Sequence, residues 1–85
     1  MLHQILMSIY QIYKQQVRIQ DSFIIYKRII KDTNISYSEI TIDFLKFTIN
    51  QGKEDFATKI VFEDCLENKC NEQVISFYSK VLISL

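Results

Sequence analysis

Proline and tryptophan are absent from this 85-residue sequence, Gly52 is its only glycine, and His3 is its only histidine. Each scarcity argues against a class of function. One glycine cannot build a Gly-rich phosphate loop, so a nucleotide-binding fold is not expected. A lone histidine at the third position is badly placed for general acid–base work, which needs a side chain held within hydrogen-bond reach of its proton. The two cysteines, Cys65 and Cys70, are too few for the disulfide framework of small secreted domains. Free thiols in a reducing, cytoplasmic setting are therefore expected, with Cys65 packed among apolar neighbours and Cys70 partly exposed in a turn. As a C-x4-C pair they would need further ligands to hold zinc, and the neighbours Glu63, Asp64, Glu67 and Glu72 are hard oxygens poorly matched to thiolates. Neither cysteine has a second histidine to activate it.

Long apolar runs are missing too. No stretch approaches the roughly 18 residues of a membrane span. The first ten residues contain no Lys or Arg and are interrupted by His3, Gln4 and Ser8, unlike a secretory signal. The chain has 48% hydrophobic and 24% charged residues, as a globular chain does, and its length fits a single domain over residues 1–85. Fifteen Ile and eight Lys against two Arg suggest AT-rich coding, common in mobile or accessory genes.

Periodicity supplies the architecture. Leu2, Ile5, Leu6, Ile9, Tyr10, Ile12, Tyr13 and Val17 share one helical face, predicting an amphipathic helix over 2–19. The apolar face then rotates to Phe23, Ile25, Tyr26, Ile29 and Ile30, which predicts a break at the Asp21 or Ser22 cap and a second helix over 22–32. A competing pattern, Leu2, Ile5, Ile9, Ile12, Gln16, Ile19, Phe23, Tyr26 and Ile30, keeps coiled-coil spacing and fits one continuous, dimerising helix. After a connector over 33–36, Ser36 and Glu39 have capping-box spacing and open a third helix, closed by Gly52. Residues 40–49 are rich in β-branched and aromatic types, so a hairpin with 57–63 is the alternative.

A fourth helix starts at Glu54 and Asp55 with Ala57, Val61, Phe62, Cys65 and Leu66 as its apolar side. A fifth follows the Asn71 cap with Val74, Ile75, Phe77, Tyr78, Val81, Leu82 and Leu85 inward. The predicted fold class is all-α, a bundle of four or five short helices, with α+β containing one hairpin as runner-up.

Charge is uneven along the chain. Residues 1–38 carry Lys14, Arg18, Lys27, Arg28 and Lys31 against Asp21 and Asp32, a balance of +3, and the remainder balances at −3 with its acids densest over 54–72. On the fourth helix Phe56 and Ile60 lie among Lys59, Glu63, Asp64 and Glu67, an apolar centre with a charged, mainly acidic rim, as in a binding patch. The functional expectation is a non-catalytic protein-binding module without cofactor or metal. Its best description is a cytoplasmic inhibitor or antidote of the immunity type that neutralises a basic toxin or effector through Phe56, Ile60, Glu63, Asp64 and Glu67. The spacing of Glu63 and Glu67 suits a bundle metal site, but Asp43 alone does not complete one. The alternative is a nucleic-acid-binding or dimerising regulator using Lys14, Arg18, Lys27, Arg28 and Lys31, disfavoured by zero net charge and an acidic second half.

Overall fold

A computed structural model describes residues 2–32 and 35–84. They form α1 (Leu2–Gln15), α2 (Ile19–Ile29), α3 (Tyr37–Asn50), α4 (Glu54–Asn68) and α5 (Glu72–Ser84). The chain is all-α. Residues 40–49 and 57–63 are helical, and no strand occurs among the described residues. Thr33 and Asn34 of the expected connector, Leu85, and the side chains of Leu2 and His3 lie outside what is described.

The predicted first break is displaced. α1 stops at Gln15, and Asp21 and Ser22 are inside α2 instead of capping it. The cause is a complete Schellman closure of α1, in which the Val17 N–H donates to the Lys14 carbonyl at 3.0 Å and the Arg18 N–H to the Tyr13 carbonyl at 2.9 Å. Val17 occupies the left-handed position with φ 55°, where glycine is the usual residue. The Arg18 guanidinium covers the Tyr13 ring at 4.6 Å, in the place of the apolar contact that often accompanies this motif. The continuous helix is thereby excluded, and Val17 is exposed, not part of the apolar face. Ser22 is fully buried and donates back to the Arg18 carbonyl at 2.7 Å. α3 ends in the same motif with its expected residue: Gly52 at φ 72°, its N–H on Ile49 and that of Lys53 on Thr48. At the start of α3 the Ser36 hydroxyl accepts the Glu39 N–H at 3.4 Å, as the capping spacing predicted.

By internal contacts the chain divides into two units, 1–44 and 45–85, with the boundary inside α3. In the first, Leu6 and Tyr10 of α1, Tyr26 and Ile29 of α2, and Ile40 and Phe44 of α3 are buried. Phe44 is the hub of an aromatic cluster, stacked on Tyr26 at 4.9 Å and Phe23 at 6.0 Å and tilted to Tyr10 at 6.1 Å. Buried phenols need partners. Tyr26 shares a buried hydrogen bond with Thr41 at 2.9 Å, and Tyr10 donates to Asp43 Oδ2 at 2.7 Å. Lys14 Nζ donates to the same oxygen at 2.6 Å.

In the second unit Leu45, Thr48, Ala57, Ile60, Val61, Asp64 and Val74 are buried. Asn71 caps α5 through its side-chain oxygen, which accepts the Gln73 and Val74 N–H groups at 3.1 and 3.2 Å. Thr58 and Tyr78 join α4 to α5 at 2.8 Å, and Lys46 lies over the Phe77 ring at 5.7 Å. Leu82 of α5 is exposed, contrary to its expected inward position: Val74 alone among the described α5 residues is fully buried.

Two stability effects follow. Val17→Gly relieves a β-branched residue in the left-handed region without removing a buried group, and should raise stability by about 1 kcal/mol, read as a higher denaturation midpoint. Tyr10 is pushed well above the ordinary tyrosine range, first by burial, then by its hydrogen bond to Asp43, the Asp43 charge and Tyr26. Below pH ~10 folded and unfolded chains both keep this proton; above it the unfolded chain loses it first. Stability should fall as pH rises past 10, this group contributing up to about 1.4 kcal/mol per unit, and Tyr10→Phe should flatten that slope.

Candidate functional surface

The buried stripe of α4 is Ala57, Ile60, Val61 and Asp64, at the i, i+3, i+4, i+7 positions of one face. Two residues of the expected patch, Ile60 and Asp64, are thus inside, at 3% and 2% exposure. Phe56 and Glu63 are half-buried and Glu67 is exposed. Phe62 and Leu66, expected inward, stand 62% and 70% exposed one turn apart. Apolar residues occur on every side of α4, so periodicity alone does not select its inner face. The deciding feature is Asp64, whose carboxylate accepts the Asn71 N–H at 2.8 Å and ties the end of α4 to the start of α5. A charged residue that serves a buried backbone donor reads as surface in sequence.

Cys65 and Cys70 are joined in a disulfide, which corrects the expectation of free thiols and removes both as thiolate ligands. Beyond α4, Lys69 and Cys70 are both left-handed, with φ 57° and 61°. Their N–H groups turn back to the Asp64 carbonyl, that of Cys70 at 3.4 Å, so the chain folds over the last turn of α4 and brings residue 70 to residue 65. Helical periodicity cannot foresee such a reversal without a glycine to mark it. Among the described residues no three His, Cys, Asp or Glu side chains gather in metal-binding geometry. No described helix is long and apolar enough to cross a membrane.

The basic residues of the alternative reading are dispersed into local pairs. Lys14 is held by Asp43 and is 16% exposed. Arg18 is paired with Asp21 at 2.7 Å and lies over Tyr13. Lys27 lies over the Phe23 ring at 5.6 Å, while Arg28 and Lys31 are exposed on α2 and just after it. The charge contrast also shrinks: the first unit includes Glu39 and Asp43, so its five basic residues face four acids, and the second unit's five lysines face six.

An open groove of about 230 Å³ lies in the first unit, with Met7, Ile35 and Ile40 apolar and Gln11, Glu39 and Asp43 polar. Asp43 in its lining is already engaged by Tyr10 and Lys14. The chain matches no protein-family model, no curated protein and no solved structure.

The core and surface of α4 separate by mutation. Ile60→Ala should destabilise the chain by about 2–5 kcal/mol. Phe62→Ser with Leu66→Ser should change stability by no more than about 0.5 kcal/mol in chemical denaturation.

Proposed function

We propose that the chain is a non-catalytic protein-binding module, a cytoplasmic inhibitor or antidote of the immunity type, that holds a basic partner protein on the outer face of α4. The observation that carries this reading is the pair Phe62 and Leu66, exposed one turn apart on a helix that has Lys59 on the same face and Glu63 and Glu67 at its flank. An aromatic and an aliphatic anchor supply apolar area that a partner can desolvate, and neighbouring carboxylates orient a cationic surface and speed its approach. Ile60 and Asp64, buried, contribute by holding α4 in place, and the half-buried Phe56 remains within reach of a partner.

In this reading the chain meets its target in the cytoplasm, and the Cys65–Cys70 disulfide, a pairing rare in that compartment, is the observation that weighs against the location. A nucleic-acid-binding regulator has less support, because Lys14 and Arg18 are committed to Asp43 and Asp21.

The test is capture from the native host with tagged wild type and with Glu63→Lys/Glu67→Lys. A stoichiometric basic protein held by the wild type and lost from the double variant, at unchanged melting temperature, is the expected result. Equal capture by both overturns the α4 surface. Nucleic acid that elutes as salt is raised would transfer the function to Arg28 and Lys31.

A further inference from the structure

α1 has a second apolar stripe that its own fold leaves uncovered. Leu6 and Tyr10 point into the core of the first unit, whereas Ile5 and Ile12 are 57% and 49% exposed, with half-buried Ile9 between them. The three isoleucines are spaced four and three residues apart, the spacing of a helix–helix seam. Gln16, the next position of that series, lies beyond the end of α1, so the seam is confined to this one helix.

We infer that a second copy of this chain docks on this stripe, α1 crossing the same helix of the other copy about a two-fold axis near Ser8 and Ile9. The occupant follows from the chemistry of the face. A two-fold contact sets a surface against itself, so net charge of one sign would repel, and residues 1–13 contain no Asp, Glu, Lys or Arg. The flanking Gln4, Gln11 and Gln15 are exposed, and each amide both donates and accepts, which makes the rim complementary to its own copy. Ser8, small and exposed, lies midway between Ile5 and Ile12, where two helices need close approach. Its hydroxyl already donates to the Gln4 carbonyl at 2.9 Å, so covering it strands no donor. In this arrangement Ile5 of one copy packs near Ile12 of the other.

Sedimentation of the full chain over a range of concentrations tests this independently of any partner on α4. Wild type is expected to self-associate, and Ile5→Gln/Ile12→Gln to weaken that association about tenfold or more while its helical circular dichroism stays unchanged. Phe62→Ser/Leu66→Ser is expected to associate like wild type. Under non-reducing conditions, which leave Cys65–Cys70 joined, Ser8→Cys should form a covalent dimer. A wild type that stays monomeric to about 1 mM, where association would be worth less than about 4 kcal/mol, overturns the proposal. So does association abolished by the α4 pair instead of the α1 pair, or a self-associating Ser8→Cys chain that does not cross-link.

Discussion

The Asp43 carboxylate gives the first unit its geometry. A phenol as deeply buried as Tyr10 loses its water and must find an acceptor, and the one it finds lies on α3, 33 residues along the chain. Lys14, one turn beyond Tyr10 on α1, reaches the same oxygen and supplies the countercharge. Tyr26 of α2 bonds in the same way to Thr41, so α1 and α2 are each tied to α3 by one hydroxyl group. Phe44, beside these polar anchors on α3, fills the space between the three helices with its ring. Directional bonds set the rotation of each helix, and the aromatic cluster provides the apolar burial.

Helix ends divide this chain as much as helix faces do. Among the described residues three helices stop at left-handed residues, and glycine holds that position in only one of them. Gly52 announces its turn. Val17 does not, because its intrinsic preference is opposed to the conformation it holds, and the closing hydrogen bonds with the Arg18–Tyr13 contact hold it there. Lys69 and Cys70 are further from expectation still, two consecutive left-handed residues in a turn spanned by a disulfide and by two backbone donors on Asp64. The Asp64 side chain adds a third bond to this turn, to Asn71, which explains why a carboxylate occupies a core position.

α4 carries the candidate contact surface because its apolar residues are spread over every side, interleaved with charged ones. A helix with one apolar stripe hides it; α4 hides Ala57, Ile60 and Val61 and has Phe62 and Leu66 left over. α1 has the same excess in Ile5 and Ile12. These two pairs, among the exposed apolar residues that also include Ile24, Leu82 and Ile83, differ in their surroundings, charged side chains (Lys59, Glu63, Glu67) near one and neutral amides near the other. That difference is the ground for proposing an oppositely charged partner at the first and a copy of the chain at the second.

Helix content, the Ser36 and Asn71 starts and the Gly52 stop were legible in the sequence, because propensity, capping and the glycine preference act over three or four residues. So was the acidic character of the region around α4. The Val17 break and the Cys65–Cys70 turn also close locally, but no glycine marks them, whereas tertiary structure decided the inner face of α4 and the Asp43 bonds. These last two depend on groups that meet only after the chain has folded: Tyr10 with Asp43, or Asp64 with the Asn71 N–H. Local pattern sorts residues by polarity, but a polar group goes inside wherever a buried donor needs it, and only the fold says where that is.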